Sequence, residues 1–180
     1  MRIDPQQLLS NAELIFSADE VIGAIHKIAD EITQTLSGTA PLVLSVMGGA
    51  VVFSGQLLPL LNFPLEFDYV QASRYHNETQ GKGLHWRVLP TSNVQGKTVL
   101  ILDDILDEGI TLATVHDKCM EMGAARVLLA VLSDKNTGKP KPIKADFVGL
   151  SLPDRYVFGC GMDIYGWWRN LPAIYALLQQ

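Results

Sequence analysis

The segment "VLILDDILDEGITLATV", Val99–Val115, constrains the fold more than any other part of this 180-residue sequence. It opens as an unbroken apolar strand and closes at helical spacing. Between the two stand Asp103, Asp104, Asp107 and Glu108, four acids within six residues. In open sheets built from alternating strands and helices, ligands sit beyond the carboxyl ends of the strands. The acids occupy such an end.

The rest of the chain repeats the alternation. Ser17 and Glu20 form an S-x-x-E capping box, and Val21, Ile25, Ile28 and Ile32 follow at helical spacing, so residues 18–36 are expected to be an amphipathic helix. "LVLSVM", Leu42–Met47, is a continuous apolar strand. Gly48-Gly49 turns the chain into a helix expected over Ala50–Leu61. Leu65–Ala72 is a further strand. Ser73–Leu84, "SRYHNETQGKGL", is polar, aperiodic and holds two glycines, which suits a functional loop. "WRVLP" and "KTVLILD" are strands, with Asp103 and Asp104 at the end of the second. Thr111–Met122 is helical, Ala125–Ser133 is a strand, and "DKNTGKPKPIKA" is a loop. Short strands follow near "DFVGL" and "YVFG". The pattern is that of an α/β fold: one mostly parallel sheet flanked by helices.

Composition narrows the function. A hydrophobic content of 48% supports a single domain with a full core. A net charge of -5 without a basic stripe argues against nucleic acid as a partner. No apolar run approaches a membrane span, and the start "MRIDPQQLLSNAELIF" lacks the pattern of a secretory signal. Cys119 and Cys160 form no CxxC pair and read as reduced thiols of a cytoplasmic protein. The four histidines, His26, His76, His85 and His116, have no metal-ligand spacing.

Three readings compete for the acid cluster. A calcium loop needs oxygen ligands at alternate positions, and Ile105-Leu106 breaks that spacing. A receiver-type phosphoacceptor pocket needs its paired acids after the first strand, whereas these lie past the middle of the chain. The third reading divides the labour. Asp103 and Asp104 accept hydrogen bonds from a ribose diol. The backbone amides of Asp107, Glu108, Gly109, Ile110 and Thr111, at the start of a helix, receive a phosphate. Gly109 permits close approach and Thr111 offers a hydroxyl. Together these describe a site for a ribose 5-phosphate.

With those residues in place, "VLILDDILDEGITL" resembles the phosphoribosyl-diphosphate signature of the type I phosphoribosyltransferases, most nearly the hypoxanthine-guanine members. The resemblance extends over most of the chain. "VMGGAVVFSGQLLPLL" is similar to the family's first active-site loop, which implies that Met47, Gly48 and Gly49 contact pyrophosphate. "ASRYHNETQG" is similar to the start of the flexible lid, with Ser73, Arg74 and Tyr75. The segment from Asp134 to Pro172 is similar to the purine-binding end. There the resemblance implies that Lys135 donates to the 6-oxo group, Tyr156 stacks on the base and Val157 offers a backbone carbonyl. Asp163 would hold Mg2+ through water, with Asp103 and Asp104 on sugar and metal, and Arg169 would meet the pyrophosphate. Asp107 would take the proton at purine N7. The N-terminal helix and the C-terminal strands, about residues 1–16 and 145–180, would form a small hood, with Trp167 and Trp168 packing in it or at an interface.

The sequence departs from the family pattern at Met47, where Lys is frequent, at Glu108, where Thr or Ser is frequent, and at Asp103, where Glu is commoner. The implied reaction is purine salvage: phosphoribosyl diphosphate and hypoxanthine or guanine give IMP or GMP and pyrophosphate. A xanthine-preferring transferase and a non-catalytic nucleotide sensor stay open, although the chain shows no basic face for the latter. The apolar helix after Gly49 suggests a homodimer or homotetramer.

Overall fold

The computed structural model describes residues 4–74 and 84–178. The chain begins with helix α1 (Pro5–Ser10) and strand β1 (Ala12–Phe16). Helix α2 (Ala18–Leu36) follows, and its capping box is formed as expected: Ser17 and Glu20 each accept from the other's backbone N–H. Strand β2 (Leu42–Met47) leads into helix α3 (Val51–Leu57). This helix is shorter than expected. Pro59 has no N–H to continue the ladder, and Leu58–Leu60 tightens into a 3-10 turn.

Strands β3 (Glu66–Arg74), β4 (Leu84–Val88) and β5 (Thr98–Leu106) precede helix α4 (Ile110–Glu121). Strands β6 (Arg126–Lys135), β7 (Phe147–Leu152), β8 (Val157–Phe158) and β9 (Ile174–Leu177) complete the order. Six strands form one sheet in the order β4-β3-β2-β5-β6-β7, parallel except for β4. Helices α2 and α3 pack on one face with Val43, Leu100 and Leu102. Helix α4 packs on the other with Leu44, Ile101 and Leu129. The chain therefore leaves β2 towards one edge through α3, and leaves β5 towards the other through α4. In sheets of this kind a ligand is expected at that switch point, beyond the carboxyl ends of β2 and β5.

Three expectations need correction. The acids Asp103 and Asp104 do not end their strand: β5 continues because Ile105 and Leu106 pair with Ser133 and Asp134 of β6. Likewise Asp134 and Lys135 belong to β6 rather than to the loop, held by Ser151 and Leu152 of β7. The second, three-stranded sheet, β1-β9-β8, is smaller than the expected hood. Residues 147–152 lie in the large sheet instead, and the helix over 18–36 packs on that sheet, its apolar stripe covered by β7 and its neighbours.

Candidate active site

Strand alternation sends Asp103 and Asp104 to opposite faces. Asp104 shares a face with Leu100 and Leu102, and Asp103 shares one with Val99 and Ile101. Both carboxyls are buried. The Asp104 N–H donates to Asp103 Oδ1 at 3.0 Å, and the Ser133 hydroxyl donates to the Asp104 carbonyl at 3.0 Å. Burial, joined by the neighbouring Asp104 charge, pushes the Asp103 carboxyl well above the usual aspartate range. Burial also raises Asp104, opposed by its hydrogen bond with Asp103 and by the Arg169 guanidinium.

The Gly-Gly turn closes over Asp104. A Cβ on Gly49 would overlap the Asp104 carboxylate, and a Cβ on Gly161 would overlap the Gly49 carbonyl. Side chains are thus excluded where the β2 loop, the β5 acid and the segment after β8 meet. The Met47–Gly48 peptide is cis. Just past the C-terminal end of β5, Gly109 caps α4 with φ +79° and is buried against Leu106, Pro142 and Ile143. A side chain there would meet both a left-handed backbone and this packing. Glu108 and Ile110 are exposed beside it.

A cavity of about 250 Å³ is lined by Asp104, Ile105, Asp107, Lys135, Tyr156, Val157, Met162, Asp163 and Arg169. Lys135 Nζ lies 3.2 Å from Asp107 Oδ2. The lysine side chain is only 12% exposed, whereas the carboxylate is 45% exposed. Tyr156 stacks on Tyr165 with ring centroids 6.0 Å apart. Burial, then the Asp163 charge, raises the Tyr156 phenol, which leaves an uncharged ring at neutral pH. Arg169 is ion-paired with Asp163 and donates to the Gly161 carbonyl. Asp163 also accepts from the Gly166 N–H at 2.7 Å.

Most of the expected residues therefore converge. Asp104, Asp107, Lys135, Tyr156, Val157, Asp163 and Arg169 share one cavity, with Gly49 against Asp104. Asp103 does not line that cavity. Glu108 and Ile110 line an adjoining one of about 430 Å³, which also meets Asp107 and Lys135. Ser73 and Arg74 end β3, and Tyr75, with the rest of the expected lid to residue 83, lies outside the described residues. Trp168 ties the second sheet to the N-terminus by donating to the Pro5 carbonyl at 2.6 Å. Sequence reasoning missed Gly161, Tyr165 and Lys141. The Gly-x-Gly spacing of Gly159 and Gly161 was a usable signal for a close approach. Nothing in the sequence separated Lys141 from its neighbouring lysines.

The family model for the phosphoribosyl transferase domain matches residues 12–165. Among similar proteins, the hypoxanthine-guanine phosphoribosyltransferase of Streptococcus pneumoniae is 31% identical, with 93% of this chain and 94% of that protein covered. A solved hypoxanthine-guanine-xanthine phosphoribosyltransferase has a TM-score of 0.85 and 29% identity, covering 94% of this chain and 99% of its own. A hypoxanthine phosphoribosyltransferase from Staphylococcus aureus shares the fold with a TM-score of 0.88 at 24% identity, covering 96% and 95%. With the signature on β5–α4, the cavity beyond it and these likenesses in agreement, the chain belongs to the phosphoribosyltransferase family, among the relatives of the hypoxanthine-guanine enzymes.

Proposed function

We propose that this chain is a purine-salvage enzyme that transfers the 5-phosphoribosyl group of phosphoribosyl diphosphate to N9 of hypoxanthine or guanine, giving IMP or GMP and pyrophosphate. The observation that carries this reading is the Asp107–Lys135 pair in the lining of the cavity of about 250 Å³. A 6-oxopurine that reacts at N9 carries its proton on N7, beside an acceptor oxygen on C6. A carboxylate next to an ammonium offers the complementary acceptor and donor. Asp107 then holds and removes the N7 proton while Lys135 holds O6. Tyr156 stacks on the ring and Val157 offers its backbone carbonyl.

The sugar end uses different groups. The amides of Asp107, Glu108, Gly109, Ile110 and Thr111 and the dipole of α4 suit the 5-phosphate. Asp103 and Asp104 suit the ribose diol, and Asp104 adds negative charge near an oxocarbenium-like C1. Met47, Gly48, Gly49 and Arg169 suit the pyrophosphate, and Ser73, Arg74 and Tyr75 the lid that excludes water from the sugar. Among the described residues no three carboxylates gather into a metal cage, and Mg2+ does not need one: it takes one or two carboxylates and completes its shell with water and substrate phosphates. Asp104 and Asp163, which line one cavity, would hold it together with water, and the ion would neutralise the leaving pyrophosphate; Asp103 does not line that cavity.

The free, buried Cys119 and Cys160 suit work in the cytoplasm. Val51, Phe67 and Tyr69 are exposed on the α3 side of the sheet and suit a contact between copies, as a homodimer or homotetramer. Xanthine carries the same 6-oxo edge and stays a second base to assay. The direct test mixes enzyme, Mg2+ and phosphoribosyl diphosphate with hypoxanthine or guanine. Nucleotide and pyrophosphate should form one to one. No product with any 6-oxopurine would refute the assignment.

A further inference from the structure

Four lysines lie at or within the loop that follows β6: Lys135, Lys139, Lys141 and Lys144. Lys139 and Lys144 are exposed. Lys141 is not: its side chain is 13% exposed and turns inward. Its Nζ donates to the Leu106 carbonyl at 2.6 Å, the Lys135 carbonyl at 2.6 Å and the Asp134 carboxylate at 2.5 Å. An ammonium has three donors and no acceptor. All three are used, so none is left for a substrate.

The identity of those acceptors is the point. Leu106 is the last residue of β5 and Lys135 the last of β6. The ladder between the two strands ends at the Leu106–Asp134 pair. One ammonium therefore caps both strand ends just past the point where the ladder stops. Asp107 follows Leu106 directly, and Lys135 carries the other half of the base-reading pair. Removing the cation would leave two carbonyls and a carboxylate converging on an empty, partly buried space, the Lys135 carbonyl keeping only the Thr137 N–H at 3.0 Å and the Leu106 carbonyl losing its ammonium donor.

We propose that Lys141 is a positioning residue for base recognition: its ammonium fastens the ends of β5 and β6 and so sets the Asp107–Lys135 spacing that reads the purine's N7–C6 edge. This rests on the base-binding role given to Asp107 and Lys135 above. It also has a chemical corollary. Two carbonyls and a carboxylate around an ammonium form an oxygen cage that a free ammonium or potassium ion can enter.

The test uses full-length Lys141→Met and Lys141→Ala, with Asp134→Asn as a milder variant at a more exposed position. In Lys141→Met the KM for hypoxanthine should rise about tenfold or more, the scale of an orphaned buried acceptor. The KM for phosphoribosyl diphosphate should rise clearly less, since Leu106 leads into the phosphate-facing turn but none of the three acceptors of Lys141 is itself a phosphate-binding group. Asp134→Asn should shift the hypoxanthine KM the same way by less. Ammonium chloride should restore the hypoxanthine KM of Lys141→Ala, and tetramethylammonium chloride should not. An unmoved hypoxanthine KM in Lys141→Met overturns the proposal. So does an equal loss towards both substrates with no ammonium recovery, which marks a purely structural lysine. Should Lys141→Met fail to fold, an unchanged hypoxanthine KM in Asp134→Asn overturns it too. Loss of the functional reading looks different: the unmodified enzyme would then turn over no 6-oxopurine at all.

Discussion

The two groups of acids around β5 are built on opposite electrostatic plans. Asp103 and Asp104 lie within the strand, buried beside each other, and burial raises both carboxyls. Asp107 lies three residues on, half exposed, with its charge matched by Lys135. On the proposed assignment, the base-reading end is thus assembled before substrate arrives. On the same assignment, the sugar end holds unfavourable charge in reserve until a diol and a cation come to meet it. The contrast teaches where each group's value lies. Asp107 and Lys135 should matter to catalysis and little to folding, while the buried pair should cost the free protein stability.

The largest expected break is at Asp107. Asp107→Asn keeps the shape and the phosphate-facing amide but removes the proton acceptor, so kcat should fall by about 10²–10⁴-fold. Titration calorimetry should find phosphoribosyl diphosphate binding nearly unchanged. Near-normal turnover would remove Asp107 from the mechanism. Next comes its partner. Lys135→Met should raise the KM for hypoxanthine by about 5–150-fold, the range for an unpaired buried acceptor. A matching loss of phosphoribosyl diphosphate affinity would contradict the division between the two ends.

The buried pair gives a pH signature with a definite sign. The folded-state pKa of Asp103 is raised, so its contribution to stability is fully present below the ordinary aspartate value of 3.8 and is lost as pH rises through the folded-state value. Asparagine stays neutral throughout. Asp103→Asn should therefore raise the Tm of the substrate-free protein at neutral pH, by about 2–4 °C for each kcal/mol relieved. The gain should shrink towards zero in acid, and activity should fall. A lower Tm at neutral pH would place the buried pair among the stabilising elements. The smallest effect is at Glu108, an exposed carboxylate at the phosphate-facing turn. Glu108→Thr should leave kcat similar and lower the KM for phosphoribosyl diphosphate about 2–5-fold, the usual worth of one charge at a helix start. A large loss of kcat would give that carboxylate a role of its own.

How far these regions were legible in the sequence follows from how local they are. The apolar run before Asp103, the Gly48-Gly49 turn and the start of α4 at Gly109 each carry their signal within a few residues, and each formed where expected. The end of β5 did not. Ile105 and Leu106 stand between acids and look like a loop until β6 supplies their partners. The small sheet was harder. Ala12 pairs with Leu177 across almost the whole chain, and strands of two to five residues carry no usable period. Lys141 was invisible for the same reason: four lysines share one stretch, and contacts with the ends of two strands, one of them the distant β5, decide which of them turns inward.

The central claim is that a carboxylate and an ammonium side by side read the N7–C6 edge of the base. The measurement that tests it most directly is the ratio of kcat/KM for hypoxanthine to that for adenine, taken with saturating phosphoribosyl diphosphate and Mg2+. Adenine presents an amino group to the Lys135 donor, and a site built on a specific hydrogen bond rejects such an analogue by about 10⁴-fold or more. A ratio of that size is the expected result. Comparable turnover of adenine by the unmodified protein would contradict both the role of Lys135 and the 6-oxopurine assignment.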